Sequence, residues 1–350
     1  MSRLPAAVLT CGIACVMAGG AAAPVTGRAA PIRGLTAAPQ VTRAYDAVLN
    51  ADFEQVPTLL VQTCGPAPRA ACLAVRAMAT WWDIQLDPHN TALDTRFSAE
   101  VEAAVHEAER WTRREPERAE AWFYQGVALG ARSQWKVLRN EHLSAARDGK
   151  RIKEVLERAL DLDPAMDDAA FGIGVYRYYA AIAPSYLRMI RWLLLLPGGD
   201  REEGLAQMER TSRQGQLVRG EADYQLHLAY LWYEERFDDA LALVLDLQSR
   251  YPRNPLFRHL EASIRDVYFH DHARSLAASE ALVVAAARGE VNRPGIATVR
   301  ARLNIALQLD QLGQRDRARL AIDTLLAGQP TAPVDAIERA RELKRTWSAR

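Results

Sequence analysis

One spacing recurs along this 350-residue chain and constrains it more than any other feature. A small or apolar residue is followed four positions on by another, and twelve positions after the first comes a proline. The instances are Val56, Leu60 and Pro68; Ala104, Ala108 and Pro116; Ile152, Leu156 and Pro164; Ala240, Val244 and Pro252; and Ala318, Ile322 and Pro330. A four-residue step puts two side chains on one face of a helix, and a proline beyond the stretch ends it. Helical spacing persists from Val41 onward, and no alternating strand pattern interrupts it. A lone amphipathic helical pair cannot bury its apolar face, so a chain built of such units must stack them. With 49% apolar residues it has the material to do so.

Two units keep a longer frame. In one, Tyr224, His227, Leu228 and Leu231 form a first helix, and Glu235 to Ala240 make the turn into the second. In the other, Ile305, Ala306 and Leu309 precede Gly313, Ala318 and Pro330. Trp122-Phe123-Tyr124-Gln125-Gly126 marks a further first helix. The closing prolines lie 48, 48, 88 and 78 residues apart, so the last two gaps each hold two units. That gives about seven helical pairs and a closing helix over residues 334–346. These motifs resemble the tetratricopeptide repeat superfamily over roughly residues 41–346. The stretches Gly172-Ile173-Gly174-Val175-Tyr176 and Leu195 to Gly204 also resemble the central segment of the inclusion-body-clearance type and of bacterial relatives. The resemblance implies an all-α, helical-hairpin solenoid of about seven degenerate tetratricopeptide-type repeats with a right-handed stack. Gly126, Gly172 and Gly174 would each cost about 1 kcal/mol against Ala in an isolated helix, which makes sense where helices approach closely. Asp200 with Glu203 matches an N-capping box.

Residues 1–22 read as a signal peptide: Arg3, an uncharged apolar run, then small residues before a cut near Ala23. Cys15 follows Gly12-Ile13-Ala14, a lipoprotein-like box without its expected Leu. Residues 23–40 are rich in Ala, Pro, Gly and Thr and read as a flexible linker, leaving residues 41–350 as the repeat array. Removing the leader leaves Cys64 and Cys72 as the mature cysteines, eight apart across Gly65-Pro66-Ala67-Pro68. They fit a local disulfide in an oxidising compartment or two separate buried thiols. The apolar segment 186–196 reads either as helix packed under the solenoid or as an interfacial membrane helix, and no stretch is long enough to span a bilayer. A formal net charge of +1, with acids and bases interleaved, speaks against nucleic acid as partner.

Motifs for chemistry are sparse. His270-Asp271-His272 has two-residue spacing, which splits the histidines between helix faces and chelates poorly. No P-loop, nucleophile elbow or Cys-x-x-Cys is present, and Gly172-x-Gly174 lacks the third glycine of a dinucleotide fingerprint. No cofactor or metal is expected. In the fold that the resemblance implies, first helices line the inner surface. Projected on that frame, Phe123 and Val127 face inward in the third pair, and Phe171, Val175 and Tyr178 in the fourth. Gln225, Ala229 and Trp232 do so in the fifth, with Tyr179 and Tyr233 at the edge. Such a face suits a protein or peptide partner or a small ligand; equally, these side chains could fill the groove and bind nothing. The expected function is a non-catalytic exported scaffold. The alternatives are a periplasmic accessory of a solute transporter and an enzyme with its site in the helical groove.

Overall fold

The computed structural model describes residues 34–182, 198–328 and 331–348. The expected leader with Cys11 and Cys15, the linker as far as residue 33, the segment 186–196 and Pro330 lie outside the described residues. Among the described residues there are fifteen helices and no strand. They pair in chain order as α1 (Ala38–Leu49) with α2 (Val56–Thr63), α3 (Arg69–Leu86) with α4 (Asp94–Arg114), and α5 (Ala119–Leu138) with α6 (His142–Leu162). Next come α7 (Asp167–Ile182) with α8 (Arg201–Gln214), and α9 (Arg219–Trp232) with α10 (Phe237–Arg250). Then follow α11 (Pro255–Val267) with α12 (His272–Ala287), α13 (Pro294–Gln311) with α14 (Arg315–Ala327), and a closing α15 (Val334–Ser348). This is the helical-hairpin array that the repeat spacing demands.

The spacing has a direct structural meaning. Both apolar positions of all five instances fall on second helices and are buried, from Ala108, Ala240, Val244 and Ala318 at 0% exposure to Ile152 at 9%. Pro116, Pro164 and Pro252 lie just past the ends of α4, α6 and α10, where a residue without an N–H costs the helix nothing. Asp200 caps α8 by accepting from the Glu203 amide at 3.0 Å. Gly174 and Gly204 let α7 and α8 touch backbone to backbone. A Cβ on Gly174 would meet the Gly204 carbonyl at 2.8 Å, and one on Gly204 the Tyr178 amide at 2.6 Å. Cys64 and Cys72 are joined, with Cα atoms 6.0 Å apart, and tie the end of α2 to α3.

The folded body begins earlier than composition suggested. The Gly34 amide donates to Asp163 Oδ2 at 2.9 Å, and the Thr36 amide to Glu120 Oε1 at 2.7 Å. Residues 34–40 therefore belong to the array, held by carboxylates distant in sequence, one in α5 and one just past α6, that local composition does not reveal. No helix among the described residues is long and apolar enough to cross a membrane.

Successive first helices touch side by side: α1 with α3, α3 with α5, α5 with α7 and α7 with α9, and again α11 with α13 and α13 with α15. In addition, the first two pairs pack against the fifth and sixth. Trp82 of α3 meets Tyr224 and Phe257 edge-on, with ring centroids 5.0 and 6.0 Å away. Tyr251 donates to Asp46 at 3.1 Å and Asn254 to the Leu49 carbonyl at 2.7 Å. One apolar cluster consequently runs from Val41 to Phe257.

Candidate functional site

The candidate face is built from α5, α7 and α9, which touch in turn, α5 with α7 and α7 with α9. On α9, Glu221, Gln225 and Trp232 share one stripe, four and seven residues apart. Gly220 allows the start of this helix close to its neighbours: a Cβ there would lie 2.9 Å from the Tyr251 hydroxyl. On α5 the corresponding stripe ends at Gln134, whose side-chain oxygen accepts from Gln225 Nε2 at 3.2 Å. Both glutamines are partly exposed and form the surface of the face at this point.

Beneath them lies a carboxyl group. Glu221 is 4% exposed. Its Oε2 accepts from the Tyr45 hydroxyl at 2.9 Å and from the Trp82 indole at 3.2 Å. Its Oε1 has no hydrogen-bond partner. Burial raises the Glu221 pKa above the ordinary carboxylate range, against the opposing pull of Tyr45, Gln225, Trp82 and Gln134. The Tyr45 hydroxyl is likewise raised, by burial and by the neighbouring Glu221 charge. His227, one turn from Tyr224, is fully buried and pushed down to about 4 by desolvation. Its Nδ1 donates to the Tyr224 carbonyl and its Nε2 has no partner.

From Tyr224 the face continues into an aromatic group. Tyr178, Tyr179 and Tyr233 meet edge-to-face in all three pairings, at 5.3, 6.2 and 6.0 Å, the geometry that ring quadrupoles favour. The Tyr178 hydroxyl donates to Glu234 at 2.5 Å, and Arg201 clamps the same carboxylate through Nε and Nη2, both at 2.9 Å. The Arg201 bonds hold the Glu234 carboxyl below its ordinary range. At the end of α9, Trp232 is 57% and Tyr233 42% exposed.

The ten residues projected onto this face or its edge thus divide. Phe123, Tyr178 and Ala229, at 1%, 0% and 0% exposure, are packing and offer no face to a ligand. The reason is that first helices lie directly against one another, so a ring aimed into their seam is sealed. Val127, Phe171 and Val175 are half-buried against the apolar clusters. Gln225 and Tyr179 are partly open, and Trp232 and Tyr233 are exposed. Sequence reasoning missed Glu221, Tyr45, Trp82, Tyr224 and Gln134. The one local signal was the four-residue step from Glu221 to Gln225. Tyr45 and Trp82 reach Glu221 across 176 and 139 residues.

No family model matches the chain, and no curated protein matches it in sequence. Among solved structures it is similar to a tetratricopeptide repeat protein from Parabacteroides merdae at 11% identity, covering 88% of this chain and 98% of that one with a TM-score of 0.38. It is also similar to yeast Tom70 at 13% identity, covering 81% and 64% respectively with a TM-score of 0.31. Likenesses this loose add no weight of their own. It is the paired helices, their buried small positions and the prolines that close them that make the architecture a tetratricopeptide-like array.

Proposed function

We propose that this chain is an exported, non-catalytic helical-repeat scaffold that holds a peptide segment, partner protein or small ligand on the inner face of α5, α7 and α9. The observation that carries the reading is the run of incompletely covered side chains from Gln134 and Gln225 through Tyr179 to Tyr233 and Trp232. Exposed aromatics grouped at one place give contact area at low entropic cost. Residues 1–22 serve as the export signal, followed by a short linker. The Cys64–Cys72 bridge suits an oxidising compartment.

Trp232→Ala and Tyr233→Ala should test this, because both side chains are exposed. Trp232→Ala should change stability by no more than about 0.5 kcal/mol, and Tyr233→Ala should lower it by about 1 kcal/mol through its lost edge contacts with Tyr178 and Tyr179. Together they should weaken retention of an envelope partner on immobilised protein by roughly tenfold or more. Unchanged retention with both rings removed would sink the site. For export, sequencing the N-terminus of fractionated protein should find a start near Ala23; an intact Met1 on a cytosolic species would overturn it.

A further inference from the structure

The buried carboxyl beneath the two glutamines lacks a counter-charge. Among the described residues three glutamates are buried, Glu107, Glu120 and Glu221. Glu107 pairs with Arg110, and Glu120 with Arg118 at 2.6 Å. Glu221 instead has two neutral donors on Oε2, an Oε1 with no partner at bonding distance, and only neutral groups around it, the Gln225 and Gln134 amides among them. Leaving an acceptor unpaired in the interior is costly, and a carboxylate without a cation more so. Trp82 and Tyr45 meet Glu221 through the indole N–H and the hydroxyl, and the rings of Trp82 and Tyr224 pack edge-on at 5.0 Å, so no cation among the described residues balances its charge. The roof over the carboxyl is the single 3.2 Å contact between the partly exposed Gln225 and Gln134.

We propose that the inner face binds an alkylammonium group at Glu221. Its N–H donates to Oε1, its charge supplies the counter-charge that Glu221 lacks, and the Gln225–Gln134 contact parts to admit it. This deepens the scaffold reading and rests on it, since it names the group that the inner face recognises. A free amine and the side chain of a lysine carry the same chemistry.

The Trp82 indole N–H, bonded to Glu221, is a local reporter. Full-length mature protein with ¹⁵N-labelled tryptophan would be titrated at constant ionic strength with n-butylammonium chloride and, in parallel, with butan-1-ol. Trp82→Phe assigns the resonance. The expected result is a saturable shift of that resonance with the ammonium at a concentration at least tenfold lower than any response to the alcohol. Glu221→Gln should abolish it. A rise in thermal midpoint with the ammonium alone reports the same event in the unmodified protein, should Glu221→Gln fail to fold. Adding Nα-acetyl-lysine methylamide separates the sources: competition assigns the site to a lysine side chain, and no competition to a free amine. Equal responses to ammonium and alcohol, no response to either, or a response that survives Glu221→Gln would overturn the proposal. Partner retention at Trp232 and Tyr233 is a separate readout, so either reading can fail while the other is still measured.

Discussion

Asn254 shows how much one side chain can hold. Its Oδ1 accepts from the Leu256 amide at 3.0 Å and caps α11, while its Nδ2 donates to the Leu49 carbonyl at the end of α1. At 1% exposure neither bond can be replaced by solvent. Asn254→Ala should cost about 2–3 kcal/mol, combining a lost cap with an orphaned carbonyl, read as a lowered midpoint in urea. His227 makes a second residue-scale prediction. Its folded pKa of about 4 lies below that of the unfolded chain, near 6.5, so between these values the unfolded state binds the extra proton. Stability is therefore complete above about pH 6.5 and falls by about 3 kcal/mol on descending to about pH 4. The raised carboxyl of Glu221 acts in the opposite sense. The clean measurement is thus the pH-dependent difference in unfolding free energy between the natural protein and His227→Gln. A difference that stays flat over this window would refute the assignment.

Between elements, the contrast of two glycines is decisive. Gly174 faces the backbone of α8 at a distance no Cβ tolerates, whereas Gly130 in α5 has nothing within 4 Å. Gly174→Ala should destabilise by about 1–3 kcal/mol or more through forced separation of α7 and α8. Gly130→Ala should stabilise by about 0.5–1 kcal/mol, because it removes only backbone freedom. Thermal or chemical unfolding of the two variants should show opposite signs. The join of α2 to α3 belongs to this scale too. The Cys64–Cys72 bridge closes a loop of about nine residues, worth about 2.5 kcal/mol in the chain-entropy model. Thiol labelling of unfolded, non-reduced mature protein should detect no free sulfhydryl.

Across the whole molecule, function depends on which side chains the stack seals and which it leaves open. Leu247 on α10 is fully buried and makes the proper core control for the inner-face variants. Leu247→Ala should cost about 2–5 kcal/mol, whereas Trp232→Ala should leave the unfolding midpoint almost unmoved. If Trp232→Ala unfolds the protein as readily as Leu247→Ala, the inner face is packing and carries no site.

The sequence by itself determined the helical pairs. Their periodicity, small positions and closing prolines are local properties, so Ala240, Val244 and Pro252 announce a second helix without reference to the rest of the chain. For Cys64 and Cys72 it left a local bridge and two separate thiols open, and the tertiary structure joins them. Of the residues projected onto an assumed inner face, Trp232 and Tyr233 face solvent, whereas Phe123 and Tyr178 are sealed in the array. Only the tertiary structure decided that, because sealing depends on how closely neighbouring first helices approach. It alone placed Tyr45 and Trp82 against Glu221. Such contacts follow from the accumulated rotation from pair to pair, which no local spacing encodes.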